Sequence, residues 1–214
     1  MTPTGDDRLL RGAVRLAAAA MLLTAGACAA PPPPTADQVP TAGTGTAGTQ
    51  SEVAALGAEI QALGPGVAAP DAARAAQVAL STSNQLAVAY GVTDPPLIHN
   101  TKVNLGLRPR GLCYHWADDL EARLRQEGFE TLQLHRASAN SDNRFRIEHS
   151  TVIVSQRGDP MERGVVLDPW RAGGDLFWAP VSDDHSYDWV PRGEVFAAKR
   201  AKREAVTQAR QHQP

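Results

Sequence analysis

Three side chains in the second half of the chain, Cys113, His149 and Asp168, are of the types that together perform nucleophilic catalysis. A thiolate attacks a carbonyl carbon, an imidazole moves the proton, and a carboxylate holds the imidazole in the required tautomer. Each residue also has a common structural explanation: a small buried thiol, a half-buried strand histidine, and an aspartate that ends a strand before proline. Their order, and the elements that carry them, make the combination more specific than any one of them.

Cys113 lies in the first turn of a predicted helix that Gly128 ends. The apolar residues that recur every four positions in this helix are Leu112, Trp116, Leu120 and Leu124. A helix start offers unpaired N–H groups and partial positive charge, and both favour the reactive thiolate. Gly111 leaves room for a substrate backbone beside the sulfur. His115, two positions further on, should point away from the site.

His149 and Asp168 lie on two successive predicted strands. Residues 145–155 form the first strand, and His149 shares a face with every second residue of it. If that face meets the cysteine-bearing helix, the imidazole can reach the sulfur. Residues 165–167 form the next strand, and Pro169 is expected to stop it directly after Asp168. The carboxylate could then accept a hydrogen bond from the far imidazole nitrogen.

The elements around these residues predict an α+β domain. Helix, strand, strand and strand follow one another with short connections, which favours an antiparallel sheet with the cysteine-bearing helix packed on one face. We assign this domain to residues 94–192. Two amphipathic helices, expected to begin at Ser51 and Asp71, form an N-terminal helical lead-in over residues 51–93. A polar helical tail is expected over residues 193–214.

The N-terminus has the composition of an export signal. Residues 1–27 combine basic residues with an apolar run too short to span a bilayer, which predicts a signal peptide. The residues before Cys28 resemble a bacterial lipobox, although Ala25 stands where leucine is usual. Lipidation of Cys28 would anchor the chain to a membrane of the bacterial cell envelope, facing the periplasm or the exterior. Soluble export and a retained N-terminal helix are the alternatives.

The Pro-, Thr-, Gly- and Ala-rich residues 28–50 cannot bury a core and predict a disordered tether behind the lipid anchor. If Cys28 is lipidated, Cys113 is the only free thiol of the mature chain. The 214 residues, 43% of them hydrophobic, suit one domain with additions, and the formal net charge is −2. Because no basic run is interleaved with aromatic residues on a predicted sheet, we expect no nucleic-acid partner.

Three segments, 111–116, 148–152 and 166–170, resemble the transglutaminase-like (papain-like) cysteine enzyme superfamily, including its bacterial cysteine-proteinase branch. The resemblance covers roughly residues 100–190. That superfamily uses cysteine, histidine and aspartate in this order, so the resemblance implies the three catalytic roles for Cys113, His149 and Asp168. Its members include proteases, peptide amidases, acyl-transferring enzymes and inactive binding domains.

The triad pattern on a chain with an export signal predicts an exported, thiol-dependent hydrolase or acyl transferase acting on peptide or isopeptide bonds, with a protein or peptide substrate. The alternative is a non-catalytic envelope lipoprotein that uses the same fold for binding or assembly. In such sites a side chain upstream of the cysteine often helps its backbone N–H to bind the oxyanion. Asn104 is the first candidate for this donor, and Asn100 is the second.

No cofactor is expected. A zinc site made from the three candidate catalytic residues and His185 is conceivable, but the chain lacks the close Cys or His pairs that zinc sites use. The acidic pairs at 118–119 and 183–184 do not have the spacing of a calcium loop, so no metal site is predicted.

Overall fold

The computed structural model describes residues 43–211, which form an antiparallel sheet covered by helices. The helices are α1 (Gly43–Gln61), α2 (Ala69–Tyr90), α3 (Pro96–Asn104), α4 (Cys113–Arg125) and α5 (Arg192–Gln211). The strands are β1 (Leu132–Ala139), β2 (His149–Gln156), β3 (Val165–Ala172), β4 (Asp175–Pro180) and β5 (Val190–Pro191). All pairings are antiparallel and the strand order is β4-β3-β2-β1-β5. The predicted α+β class is therefore confirmed.

The two faces of the sheet are covered by different layers. Side chains alternate along β2, so Val152 and Val154 pack with residues of α1, α2 and α4, whereas Ile153 packs with Trp189 on the opposite face. Because both faces of β2 are buried, the middle of the strand, residues 151–154, is a continuous run of β-branched residues and not an alternating pattern.

His149 belongs by register to the face opposite α4. It lies across from Ala139, and its side chain points to the same face of the sheet as that of Ile153. The face of β2 that carries His149 therefore does not meet the cysteine-bearing helix. The imidazole still lies near the thiol, because His149 is the first residue of β2 and Cys113 the first residue of α4. The two elements begin at the same place, where the Cys113 Sγ contacts the carbonyl oxygen of Glu148.

The helical lead-in shares one core with the sheet. Buried residues of α1 and α2, among them Leu56 and Ile60, belong to the cluster that also contains the buried residues of α4. Asp71, in the first turn of α2, accepts hydrogen bonds from the backbone N–H groups of Glu130 and Thr131, at 3.0 and 2.9 Å, and from the Thr131 hydroxyl at 2.8 Å. These bonds fix the start of α2 against the turn before β1.

Several element boundaries differ from those expected. α1 begins at Gly43 and not at Ser51, so residues 43–50 of the expected tether are helical, because extending a formed helix adds a hydrogen bond for each residue ordered. β3 continues through Pro169 to Ala172, with a register shift against β4 that accommodates the missing N–H. α3 and β4 were not expected at all.

The expected signal peptide, Cys28 and the tether up to residue 42 lie outside the described residues, as do the last three residues of the expected tail. Between Gly43 and Gln211, no helix has both the length and the apolar character needed to cross a bilayer.

Candidate active site

A histidine caps the helix that carries Cys113. The Nδ1 atom of His115 accepts hydrogen bonds from the backbone N–H groups of Gly111 and Leu112, both at 3.2 Å. The indole N–H of Trp116 donates to the carbonyl oxygen of Gly111 at 2.9 Å. His115 therefore helps to fix the start of α4 from outside the site. This role could not be foreseen from the sequence, because leucine occupies the N-cap position.

Gly111, directly before this helix, has no room for a side chain. Its φ of 125° lies in the range that favours glycine, and a Cβ atom there would lie 2.2 Å from Nε2 of His99. His99 is buried, and its Nε2 lies 2.9 Å from the carbonyl oxygen of Arg110, to which it can donate. Glycine is thus required because α3 packs against the turn that precedes Cys113.

His149 and Asp168 form a buried pair. Their side chains share the sheet face opposite α4, and the Nε2 of His149 lies 2.6 Å from Oδ2 of Asp168. Asp168 is fully buried and His149 is almost so. A carboxylate at this distance fixes the orientation of the ring and leaves Nδ1 as the nitrogen that can exchange a proton with another group.

The Cys113 thiol also lies near the imidazole, since its Sγ contacts the carbonyl oxygen of Glu148, the residue before His149. Burial lowers the pKa of His149, but hydrogen bonding by Asp168 and Cys113, together with the charges of both, outweighs burial and raises it to about 9. Within the described residues Nδ1 makes no hydrogen bond of good geometry, and the Cys113 thiol donates to the carbonyl oxygen of Glu148 at 3.6 Å. The structure therefore brings the three predicted residues together, with the thiol proton directed at a backbone carbonyl.

Arg171 links Asp168 to a second buried carboxylate, that of Asp184. Arg171 donates from Nε to Asp168 Oδ2 at 3.1 Å and makes a two-bond fork to Asp184, at 3.0 and 2.8 Å. Asp184 also accepts from the indole N–H of Trp189 at 3.0 Å. Burial raises the pKa of Asp184, but hydrogen bonds from Arg171 and Trp189 outweigh that effect and hold it below its usual value. Arg171 could not be identified from the sequence, because no spacing rule links it to the carboxylates.

Aromatic rings surround the imidazole. The ring of His149 lies 4.6 Å from that of Trp170, 4.7 Å from Tyr187 and 5.5 Å from Trp189, measured between centroids. Of the three tryptophans in the C-terminal third of the chain, the remaining one, Trp178, packs instead against the helical core. Two of the three tryptophans thus lie at the site.

The candidate oxyanion donor favoured by the structure is Asn100 and not Asn104. The Asn100 Oδ1 accepts from the indole N–H of Trp170 at 3.0 Å, which ties it to a ring that packs with Cys113. Its NH₂ group is then the end left to donate. Asn104 lies one turn further along α3, where it is exposed at the end of the helix. Distance along the sequence could not separate two asparagines one helical turn apart.

A cleft of about 700 Å³ ends at the imidazole. Its lining consists of Pro95, Pro96, Leu97, Ile98, Asn140, Arg146, Ile147, His149, Trp170, Arg171 and Tyr187. Cys113 is 8% exposed and lies behind this lining, beside His149 and Trp170. A slightly larger cavity, of about 770 Å³, lies between α4, β1 and α5 and contains none of the three candidate catalytic residues.

Within residues 43–211, no three His, Cys, Asp or Glu side chains are arranged to hold a metal ion. Comparisons with known protein families, with curated proteins and with solved structures find no match for this chain. Function is therefore inferred from the contacts of the site itself.

Proposed function

We propose that the chain is a thiol-dependent hydrolase or acyl transferase acting on peptide or isopeptide bonds, with Cys113 as nucleophile, His149 as general acid and base, and Asp168 as the orienting carboxylate. The observation that carries this proposal is the buried His149–Asp168 pair, whose Nε2 and Oδ2 atoms lie 2.6 Å apart. The Cys113 thiol also contributes to raising the pKa of this imidazole. The resemblance of segments 111–116, 148–152 and 166–170 to the transglutaminase-like superfamily supports it.

The chemistry requires the thiol to turn from the Glu148 carbonyl to Nδ1 of His149. The proton then moves to the imidazole and the sulfur attacks the carbonyl carbon, whose oxygen gains the electron pair of the C=O bond. The backbone N–H of Cys113 and the NH₂ group of Asn100 are the candidate donors to that oxygen. As the C–N bond breaks, the imidazolium returns its proton to the leaving amine and a thioester remains.

The second half of the reaction reverses these roles. Water, or the amine of a second substrate, attacks the thioester carbonyl while Nδ1 of His149 accepts its proton. The C–S bond breaks and the proton passes to the sulfur, which regenerates the thiol. Hydrolysis follows when water attacks, and acyl transfer follows when an amine attacks.

We also propose that this domain acts in a bacterial cell envelope, held at a membrane through lipidated Cys28. The basic residues, the short apolar run and the lipobox-like residues before Cys28 support this location.

The pH dependence of Cys113 alkylation tests the proposed mechanism. Iodoacetamide should modify Cys113 of the full chain at pH 6 at least about tenfold faster than it modifies a free cysteine, because an imidazolium and a helix start favour the thiolate. Adducts are located by peptide mass spectrometry, which separates Cys113 from Cys28. H149Q should remove the advantage, and H135Q, a change to a half-buried histidine outside the site, should retain it. A rate for Cys113 no higher than that of a free cysteine would refute the proposal.

The burial of Cys113 favours a second candidate, a non-catalytic binding or assembly module. Cys113 is only 8% exposed and does not line the cleft. In a strain that carries C113A, a binding module keeps the phenotype of the wild-type chain, whereas an enzyme loses it. The same comparison with C113S tests whether loss follows from the chemistry of sulfur or from a change in packing.

A further inference from the structure

The cleft that ends at His149 has two rims that come from different parts of the chain. Residues 95–98, at the start of α3, form one rim, and Arg146 and Ile147, from the connection before β2, form part of the other. The buried imidazole of His149 also belongs to the lining. A substrate chain that occupies the cleft would therefore contact both α3 and this connection.

Both rims expose large apolar side chains. Leu97 is 56% exposed and Ile98 is 51% exposed on the α3 side, and Ile147 is 57% exposed on the other. Phe145, next to the second rim, is 99% exposed. Apolar side chains grouped around a concave surface are typical of a binding site, because covering them with an apolar ligand removes them from water.

The cleft also carries an unneutralised positive charge. No carboxylate is among its lining residues. Arg171 is already paired with two aspartates, but Arg146 makes no ion pair with any acidic residue in the described part of the chain. Its guanidinium donates to the carbonyl oxygen of Ser186 at 2.7 Å and lies over the Tyr187 ring, which holds it at the mouth of the cleft. A ligand carboxylate would supply the missing counter-charge.

We propose that this cleft selects a substrate segment in which a bulky apolar side chain, bound between Ile98 and Ile147, stands beside a carboxylate bound by Arg146. The proposal rests on the proposed function, since it places this segment next to the bond that Cys113 attacks. It assigns a substrate class to the site: peptides or acyl-peptides with an apolar residue and an adjacent acidic group.

Alkylating agents that share one reactive group test both features. The probes are iodoacetamide, N-iodoacetyl-phenylalaninamide and N-iodoacetyl-phenylalanine, and the readout is the second-order rate constant for Cys113 in the full chain. The amide should react about tenfold faster than iodoacetamide, from burial of its ring. The free acid should react about fivefold faster than the amide, from its charge-assisted hydrogen bonds to Arg146.

Variants test which side chain is responsible for each increase in the alkylation rate. R146Q should bring the ratio of acid to amide close to one, whereas R144Q, a change to an exposed arginine of the same connection that does not line the cleft, should leave every ratio unchanged. I98N should reduce the advantage of both phenylalanine probes, and V88N, a change to an exposed valine of α2, should not.

The outcomes separate the two proposals. If iodoacetamide itself reacts with Cys113 no faster than with a free cysteine, the proposed function fails and this assignment fails with it. If iodoacetamide reacts fast but the three probes react alike, or if R146Q keeps the preference for the acid, only the assignment of the cleft is refuted.

Discussion

Replacing Asp168 with asparagine should lower the pKa of His149 by two units or more, that is, to below about 7. All partners of Asp168 are donors: the His149 ring, the Arg171 side chain and the Arg171 backbone N–H. Asparagine can put its carbonyl oxygen at the Oδ2 position, and then only the 3.3 Å bond from the Arg171 backbone loses its acceptor. D168N therefore removes the negative charge with little change in shape.

The size of this change in pKa follows from the opposing effects of burial and of nearby negative charge on the imidazole. His149 is held at a pKa of about 9 against an ordinary value of 6.5. At about 1.4 kcal/mol per unit, the folded state favours the imidazolium by about 3 kcal/mol. Burial, which opposes this charge, stays in the variant, and of the two negative charges that favour the imidazolium only that of Cys113 remains. Because the pKa is raised in the folded state, the associated stability is fully present below about pH 6.5 and is lost as the pH rises through about 9.

The measurement is a titration of the histidine ring resonances by NMR, with H149Q identifying the signal. C113S measures the part of the shift that depends on sulfur, and D71N, a change to a buried aspartate on another element, should leave the titration of His149 unchanged. Urea unfolding should show that D168N costs more stability at pH 6 than at pH 10. A wild-type His149 that titrates near 6.5, or one whose titration D168N does not move, would refute the reasoning.

Three further changes are expected to act on stability, each measured as the free energy of unfolding in urea. G111A should cost about 3 kcal/mol because its Cβ would meet His99, whereas G106A, which has a positive φ but open space around it, should cost about 1 kcal/mol. D71N should cost about 2 kcal/mol at pH 7 through its hydrogen bonds. Burial raises the pKa of Asp71, but these bonds outweigh burial and hold it below its usual value, so the cost should shrink as the pH falls below about 4. R171K should cost about 3 kcal/mol, because an ammonium group cannot bond both carboxylates as the fork does.

Each of these expectations has a result that contradicts it. Equal losses in the two glycine variants would show that the contact with His99 does not matter. A penalty for D71N that is the same at pH 3 and pH 7 would exclude the ionised carboxylate as its source. A fully stable R171K would show that the two aspartates do not depend on the guanidinium.

The elements whose sequence pattern follows from burial were the ones that could be predicted. α4 has a regular apolar stripe and ends before Gly128, whose φ is 60°, so both its face and its end were evident in advance. The core of β2 was evident because both of its faces are buried. Its start was not: Phe145 suits a strand, but it is 99% exposed and the strand begins at His149.

Prolines account for most of the remaining differences. No helix was expected over residues 96–104, yet proline is well suited to the first turn of a helix, where its missing N–H has no intrahelical acceptor, and α3 begins at Pro96. Pro169 was expected to end a strand, but the register shift in β3 lets the chain pass it. Whether a proline ends or begins an element depends on neighbours that are distant in the sequence.

The side chains of the candidate site also depend on neighbours that are distant in the sequence. The residue types and order pointed to His149 and Asp168, and the structure places them 2.6 Å apart. Arg171 could not be identified, and Asn100 could not be preferred over Asn104, because their roles come from contacts across the fold, with Asp184 and Trp170 respectively.

The position of α2 decides how the molecule can be divided. Residues 94–192 carry every candidate catalytic side chain, but α2 packs directly on α4 and β4, and the hydroxyl of Ser83 donates to the carbonyl oxygen of Gly174 at 2.6 Å inside the protein. A fragment trimmed to residues 94–192 would expose apolar surface that α1 and α2 now cover, and it should aggregate on expression. Transplanting the segment that carries the candidate site into another scaffold would therefore require its helical hairpin as well, and any search for the smallest unit that folds around the site should begin upstream of Leu56.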